Sequence, residues 1–448
     1  MARITVPFKA DPPDGEAIAD LAWGQREIWT AMVRQESWLP IGYARAVPPG
    51  TTVEDLAEQV SFLMSRYPTL RTTLRHEPDG RTRQVVAATG EIDVDVVDAA
   101  DGEDPAQVAD QVRQRYWDGE YDLIHGWPAW IAIVRHRGAP THLVVVMSHL
   151  VLDAFGGIVM LEEIAAFTAG TPLPPTAMPP VEQVRWQSSP AGARQNAAAL
   201  RHWEKMLGTV PFRRFPHRHE PRSPRHWEGQ FRSPAAHLAL RALAERTKVD
   251  ASPLLLATFA ISMARITGIN PVVVQVVVNN RFRPGLARSM SPLSQTGICA
   301  LDLAGRTIDD AVRLTARQAI AAYKHAYYQP SDVDDLVARL AAERGEELDL
   351  ACFFNDRRIE ARGREAGPPP TPEQLRAALP RSTFTWTRRR DTSFERLFVH
   401  IEDVPDTMAV TIAGDTHHIS PEEMEACVRG MEAVAVRAAL DPAATTEV

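Results

Sequence analysis

The chain has 448 residues, of which 45% are hydrophobic and 24% are charged. This is the composition of an ordinary globular protein, and it excludes disordered, collagen-like and coiled-coil chains. At roughly 150 residues per domain, the length predicts about three domains or two large lobes. The balance of 49 basic against 57 acidic residues gives a net charge of -8, which argues against nucleic acid as a partner because dedicated nucleic-acid binders are basic.

The first half of the chain is predicted to mix strands with helices. Thr52 is a suitable N-cap for a helix that begins at Val53, and the apolar residues of this helix share one face. Branched apolar residues predict strands over 129–136 and 142–147, joined by a turn at 137–140. The other expected elements are strands at 39–48, 84–87 and 92–97, a helix at 105–117 and an apolar helix that ends near Phe167.

The second half repeats this mixture after two irregular stretches. Residues 171–180 hold five prolines, and residues 212–226 hold five arginines and three histidines. Proline is excluded from the interior of helices and sheets, so we interpret these stretches as the connection between two lobes. We expect an N-terminal lobe at 1–175, a crossover at 176–235 and a C-terminal lobe at 236–448. The expected helices are 238–247, 252–267, one that follows Thr307 and 421–439, with strands at 271–278, 297–303, 349–354, 395–402 and 406–412. Strands mixed with helices in both halves predict an α/β fold of α+β layers.

Cysteine usage and apolar patterning bear on the compartment. Cys299, Cys352 and Cys427 lie far apart and form no CxxC pair, so we expect neither a disulfide framework nor a zinc site. Few cysteines suit a reducing cytoplasm, and the first residues lack the apolar core of a signal peptide. The longest apolar stretch, 143–161, contains a histidine, an aspartate and two adjacent glycines, which are costly in a membrane. We therefore expect a cytoplasmic protein with no membrane partner and no metal.

The sharpest chemical feature is the segment SHLVLDA at 148–154, which follows a predicted buried strand. The strand would fix the backbone of His149, and the loop after it would direct the imidazole into a cavity. Asp153, four residues further on, could fold back and hold the loop through an ion pair. On spacing alone, a histidine at the end of an apolar strand is more often structural than catalytic.

The order of motifs in the chain resembles that of the condensation domains of non-ribosomal peptide synthetases, which share a superfamily with chloramphenicol acetyltransferase. The matching segments are LAWGQREIW at 21–29, RYPTLRT at 66–72, YDL at 121–123 with Pro128, SHLVLDA at 148–154, VRWQ at 184–187, and Asn280-Arg281 followed by Gly297. They cover residues 20–305 approximately, and the final third of the chain adds few matches. The resemblance implies two chloramphenicol-acetyltransferase-like lobes that form a V-shaped pseudo-dimer with a central tunnel.

The segment at 148–154 departs from the family signature HHxxxDG at two positions. Ser148 stands in place of the first histidine, and we expect its hydroxyl to hold the loop through hydrogen bonds. Ala154 stands in place of the glycine and keeps the backbone N–H that a developing oxyanion could use. If this position requires a positive φ, alanine is strained there, and Gly156 and Gly157 are expected to take up the turn.

The resemblance also implies roles for three charged or titratable residues. His149 would be the catalytic residue, sitting in the tunnel and taking a proton from the nucleophile or orienting it. Asp153 could act as a general base in competition with His149, but the resemblance favours a structural pair with Arg281 of the second lobe. Without the resemblance, Arg281 would be a surface residue after a strand.

The resulting functional hypothesis is a stand-alone condensation enzyme that joins an acyl thioester to an amine or hydroxyl acceptor. The donor would ride on the phosphopantetheine arm of an acyl- or peptidyl-carrier protein supplied in trans, and the acceptor would be a small molecule or carrier-bound. No tightly bound cofactor is expected. Two alternatives stay open: an acyl-CoA-dependent N- or O-acyltransferase of the same superfamily, and a non-catalytic domain that recruits another enzyme to a carrier.

Three basic clusters have simpler explanations than a binding site. The arginines of 213–225 could dock an acidic carrier protein, although a solvated crossover loop is the preferred interpretation. The run Arg388–Arg390 is expected on a hairpin turn. His417 and His418 lack a third ligand at useful spacing, so metal binding is not expected there.

Overall fold

The computed structural model describes residues 2–10, 16–208, 210–211, 213–215, 218–358, 369–391, 393 and 395–448. Contacts divide the chain into two compact units. Unit 1 comprises the chain up to Arg194 together with Asn279–Ser294, and unit 2 comprises Gln195–Val278 and Gln295–Val448. The first division falls inside the stretch in which the sequence places the crossover. The return of Asn279–Ser294 to unit 1 was not predicted as a division of the chain, although the expected pair of Arg281 with Asp153 requires a contact there.

Unit 1 contains a five-stranded and a three-stranded sheet among its described residues. Its strands are β1 (Ala2–Lys9), β2 (Ala17–Asp20), β3 (Pro40–Ala46), β4 (Thr72–His76), β5 (Thr82–Val86), β6 (Thr89–Ala99), β7 (Ala129–His136) and β8 (Ala139–Ser148). Its helices are α1 (Trp23–Gln35), α2 (Val53–Arg66), α3 (Pro105–Trp117), α4 (Ala154–Thr168) and α5 (Pro180–Gln187), with a 3-10 turn at Pro68–Arg71. The strand orders are β1-β6-β7-β8-β3 and β2-β5-β4, and β6 and β7 pair in parallel.

Strand β8 pairs with β7 and β3, and its residues from Leu143 to Ser148 are buried. Because side chains alternate along a strand, its residues enter two different cores. Val145 and Met147 join a cluster that includes residues of α2 and α4, whereas Val144 and Val146 join a cluster that includes residues of α3. Apolar cover on both faces explains the continuous apolar run in the sequence. It also fixes the end of β8, from which the 148–154 segment continues.

Unit 2 contains a seven-stranded sheet among its described residues, in the order β11-β10-β12-β14-β15-β9-β13. Its strands are β9 (His226–Ser233), β10 (Val272–Val278), β11 (Gln295–Leu301), β12 (Cys352–Asp356), β13 (Thr383–Arg390), β14 (Leu397–Glu402) and β15 (Met408–Asp415). Its helices are α7 (Pro234–Thr247), α8 (Ala251–Thr267), α9 (Ile308–Lys324), α10 (Pro330–Arg344), α11 (Pro372–Ala378) and α12 (Pro421–Leu440), with a 3-10 turn at Leu379–Arg381. Helix α6 (Pro190–Gly208) contains the division between the units.

The core of unit 2 lies mainly on one face of this sheet. There α7, α8, α9 and α12 pack against the apolar side chains of the strands. On the other face, Val273 and Ile298 join residues of α6 and α10 in a smaller cluster. No single helix in the described part of the chain is long and apolar enough to cross a membrane, whereas α7 and α8, bent by 113°, reach that length and apolarity together. Residues 254–264 of α8 are buried.

Local signals predict helix starts well in this chain. The helix after Thr52 is confirmed as α2, with a capping box between Thr52 and Asp55, and the helix expected at 105–117 is α3. The capping box at Ser420 and Glu423 begins α12. Helix α1 was not predicted as a helix, because its N-cap is Ala22, which has no capping side chain.

Several elements differ from the expectation, and tertiary pairing decides some of them. Strand β1 was not predicted, and it forms by antiparallel pairing with β6 over its whole length. The run Arg388–Arg390 does not form a hairpin turn; it ends the edge strand β13, which pairs with β9. The helices α5, α6, α10 and α11 and the strands β2, β4, β9 and β13 were not predicted either.

Candidate functional site

His149 lies in the connection between β8, which ends at Ser148, and α4, which begins at Ala154. Its backbone N–H donates to the carbonyl of Leu39 at 3.0 Å, and a turn closes behind it through the N–H of Val151 and the carbonyl of Ser148, also at 3.0 Å. The residue as a whole is half-buried, and its Nδ1 atom is buried. The backbone of the histidine is therefore fixed on both sides, and the residue stays partly exposed.

Ser148 is fully buried and hydrogen-bonded in three directions. Its hydroxyl donates to the carbonyl of Trp38 at 3.2 Å and accepts from the N–H of Leu150 at 3.2 Å. Its own N–H donates to the carbonyl of Pro128 at 3.0 Å. The serine thus ties the segment at 148–154 to the chain just before β3 and to the proline of the YDL motif. Trp38 and its carbonyl were not identified from the sequence.

Both carboxylate oxygens of Asp153 are occupied. Oδ1 accepts from the N–H of Gly156 at 2.9 Å, which caps α4, and lies 2.7 Å from Nη2 of Arg281. Oδ2 accepts from Nη1 of Arg281 at 2.9 Å, from the N–H of Leu293 at 3.2 Å and from the hydroxyl of Ser294 at 3.1 Å. The aspartate is only 3% exposed. A carboxylate with these partners is committed to holding structure and is a poor candidate for a general base.

Arg281 belongs to the segment Asn279–Ser294, so its pair with Asp153 lies inside unit 1. The resemblance implied an arginine of the second lobe, and the segment does connect β10 and β11 of unit 2 along the chain. Nη2 of Arg281 also donates to the carbonyl of Ser289 at 2.8 Å, and the guanidinium lies 5.5 Å from the ring centroid of Phe155. Arg281 is therefore held on several sides and is not a surface residue.

The glycines after Asp153 do not form a turn, contrary to the expectation. Ala154 is the first residue of α4 and has no positive φ, and both Gly156 and Gly157 lie within that helix. A Cβ on Gly156 would sit 2.1 Å from the carbonyl oxygen of Met290, so this glycine allows segment 279–294 to approach α4. A Cβ on Gly157 would meet only a side-chain methyl of Leu152, at 3.3 Å.

The first and the fifth of the family-like motifs lie next to each other in unit 1. The N–H of Trp23 donates to Oε1 of Gln187 at 3.2 Å, and the rings of Trp23 and Trp186 meet edge to face at 6.2 Å. A Cβ on Gly24 would lie 2.2 Å from the carbonyl oxygen of Pro292. Helix α1 therefore touches both α5 and the segment that carries Arg281.

A buried carboxylate that the sequence did not single out lies on α4. Glu163 is 3% exposed, accepts from the hydroxyl of Tyr67 at 2.5 Å and pairs with the guanidinium of Arg66. Burial, together with this hydrogen bond to the carboxylate, raises the pKa of Tyr67. Arg66 and Tyr67 begin the RYPTLRT motif, so this motif joins α2 to α4 and has a structural explanation.

The basic clusters of unit 2 are partly engaged in internal contacts. In the arginine-rich stretch, Phe212, Pro216 and His217 lie outside the described residues. Arg225 forms two hydrogen bonds with Asp415, at 2.7 and 2.6 Å, and burial lowers the pKa of Arg214 to about 10. Burial likewise lowers the pKa of His418 to about 4. Within the described ranges, no three His, Cys, Asp or Glu residues are grouped as metal ligands would be.

Comparison with known proteins identifies a family and a fold. The model of the Condensation domain family matches residues 42–354. Cyclosporin synthetase simA of Tolypocladium inflatum is 27% identical over 247 residues, which are 52% of this chain and 2% of that protein. AMB antimetabolite synthetase AmbB of Pseudomonas aeruginosa is 26% identical over 299 residues, 63% of this chain and 23% of that protein. The chain thus spans a small part of the length of these relatives.

A solved structure of another protein has a similar fold over nearly the whole length of this chain. The condensation domain from the monacolin K polyketide synthase MokA has a TM-score of 0.74 and 16% sequence identity, over 97% of this chain and 100% of that one. At this identity the likeness shows the fold alone. The α/β two-lobe fold expected from the sequence is confirmed.

Proposed function

Because the chain belongs to the condensation-domain family, we propose that it joins a carrier-tethered acyl thioester to an amine or hydroxyl acceptor, forming an amide or an ester. Condensation domains are in general acyl-transferring enzymes that work with carrier proteins, and those of peptide synthetases form amide bonds. The acyl donor would be held on the phosphopantetheine arm of an acyl- or peptidyl-carrier protein.

The observation that carries this proposal is the division of labour between His149 and Asp153. The carboxylate of Asp153 is held by Arg281 and three further donors, so its oxygens already serve as acceptors of structural hydrogen bonds. His149 is the titratable residue of the segment that stays partly exposed, and its backbone is fixed at the end of a buried strand. Imidazole is the side chain suited to exchanging a proton near neutral pH.

The proposed reaction needs proton handling more than activation, because a thioester is already reactive. The acceptor nitrogen or oxygen attacks the thioester carbonyl carbon while the imidazole of His149 orients the acceptor or takes its proton. The tetrahedral intermediate then expels the pantetheine sulfur, the C–S bond breaks, and the proton passes to the leaving thiolate. Holding both reactants in line supplies much of the rate enhancement of such transfers.

Replacing His149 by alanine tests the assignment. We expect turnover to fall at least about tenfold in a folded protein, because general acid–base catalysis contributes roughly 10²–10⁴-fold. His142→Ala is the matched control, since His142 lies on β8, the strand that leads into His149, and is also half-buried. A His149→Ala enzyme with wild-type turnover would leave positioning as the main source of catalysis and remove His149 from the proton transfer.

The donor is tested by presenting one acyl group on a carrier protein and on CoA. Docking of a carrier is expected to bury a small area, below roughly 1,200 Å², and to depend on exposed charge that salt screens beyond about 8 Å. Higher kcat/KM with the carrier, with a salt dependence confined to that donor, supports the proposal. Equal kcat/KM for both donors favours the acyl-CoA-dependent alternative. Binding of a carrier without turnover of any acyl donor or amine favours the recruitment alternative.

A further inference from the structure

Segment 279–294 is held against α5 by three buried polar side chains. Gln183 of α5 is 1% exposed, Ser289 is 3% exposed and Ser291 is 1% exposed. Nε2 of Gln183 donates to the hydroxyl of Ser291 at 2.9 Å and to the carbonyl of Met178 at 3.0 Å, with the hydroxyl of Ser289 at 3.4 Å. The two serine hydroxyls lie 2.8 Å apart. We call Gln183, Ser289 and Ser291 the amide–serine network.

The same two serines also hold Arg281. Their backbone carbonyls accept from Nη2 of Arg281, at 2.8 Å for Ser289 and 3.3 Å for Ser291. Nη1 and Nη2 of Arg281 then reach the carboxylate of Asp153, which ends the connection that contains His149. A continuous set of buried hydrogen bonds therefore runs from the Gln183 amide to the segment of the catalytic histidine.

Two features make Gln183 the anchor of this set. The backbone of the segment bends sharply at its start, where Asn280 has a φ of 57° and its side chain donates to the carbonyl of Leu293 at 2.9 Å. The serines therefore lie on a loop whose shape depends on side-chain bonds and not on a helix or strand. Gln183, by contrast, lies on a helix, and buried polar groups must keep their partners.

We propose that Gln183 is a positioning residue: through Ser289 and Ser291 it places Arg281 against Asp153, and so fixes the position of His149. This role deepens the proposed function and rests on it for the activity measurements. Gln183 precedes the VRWQ segment that carries the family resemblance, and it touches neither His149 nor Asp153 in the contacts above. Its effect on the reaction would be indirect.

The activity test is a double-mutant cycle on kcat and KM. Gln183→Leu removes the amide while keeping a similar volume, and we expect kcat to fall on the order of tenfold or more, with KM nearly unchanged, because small misplacements of a catalytic group are costly. Arg281→Lys is expected to cause a similar loss, and the double variant should lose little more than Arg281→Lys alone, since both act on one network. Additive losses would overturn the proposal.

Gln187→Leu is the matched control. Gln187 lies on the same helix, and its Oε1 accepts from the N–H of Trp23 of α1. Its effect should therefore add to that of Arg281→Lys. If Gln183→Leu does not fold, Ser291→Ala takes its place, because it removes one hydroxyl and leaves the backbone carbonyl that holds Arg281.

Hydrogen–deuterium exchange provides a readout that needs no substrate. Gln183→Leu should increase exchange both in 279–294 and in 149–153, with α3 of the same unit unchanged. An increase confined to 279–294, with kcat unaffected, would show a merely structural amide and overturn the proposal. If exchange rises in both segments while the wild-type chain turns over no donor, the proposed function fails and the positioning role stands.

Discussion

Replacing Arg281 by alanine is expected to destabilise unit 1 strongly. The side chains of Arg281 and Asp153 are 8% and 5% exposed, and their closest atoms are 2.7 Å apart. Without the guanidinium, the carboxylate stays buried with its backbone and hydroxyl donors alone. Removing one partner of such a pair costs about 3–5 kcal/mol. This is a large fraction of the roughly 5–15 kcal/mol that stabilises a typical folded protein.

The reverse change separates two roles of the aspartate. Asp153→Ala removes both the ion pair and the N-cap of α4, and loss of a cap costs about 1 kcal/mol in addition. Asp153→Asn keeps an oxygen for the N–H of Gly156 but removes the charge. We therefore expect Asp153→Asn to lose less free energy of unfolding than Asp153→Ala, by about the 1 kcal/mol that the N-cap hydrogen bond contributes.

The assay is urea unfolding, followed by tryptophan fluorescence and by far-ultraviolet circular dichroism. The loss in the double variant Asp153→Ala/Arg281→Ala should be clearly smaller than the sum of the single losses, because the second change removes the orphaned charge. Glu162→Ala is the control, since Glu162 pairs with Arg288 at 3.0 Å on the surface, and such pairs are worth at most about 1 kcal/mol. Additivity within about 0.5 kcal/mol would refute the buried pair as a coupled unit.

Three further outcomes are expected. In urea unfolding, Gly156→Ala should lower the free energy of unfolding by about 1–3 kcal/mol, because its Cβ would lie 2.1 Å from a backbone carbonyl oxygen, and it should also reduce activity. Gly157→Ala should leave the free energy of unfolding nearly unchanged. Burial lowers the pKa of His418 in the folded chain to about 4, so between pH 6.5 and 4 only the unfolded chain binds this proton. As the pH falls through this window, the free energy of unfolding should decrease by about 3 kcal/mol at most, measured by thermal unfolding. The variant His418→Gln should remove this decrease. Burial raises the pKa of the Cys299 and Cys427 thiols to about 12, so a thiol reagent should label them only after denaturation, and fast labelling of the native chain would contradict their burial.

The local part of this structure could be predicted from the sequence because local chemistry decides it. Helix α2 and helix α12 begin where a capping hydroxyl and an acidic residue three positions later satisfy the first free N–H groups. The end of β8 and the start of α4 follow from an apolar run that meets His149 and Asp153. These interactions involve residues that are close together in the chain, so the spacing of residue types in the sequence is enough to predict them.

Only the tertiary structure decided how distant segments meet. Apart from the expected pair of Arg281 with Asp153, which came from the family resemblance, nothing near residue 280 in the sequence indicates that segment 279–294 leaves the strands of unit 2 and packs into unit 1. The function of Gly156 is equally invisible in sequence, because the carbonyl that excludes a side chain there belongs to Met290. Gln183 meets Ser291 across 108 positions of the chain. Such contacts depend on which buried donors and acceptors find each other when the chain is compact, and the requirement to satisfy all of them is a property of the whole fold.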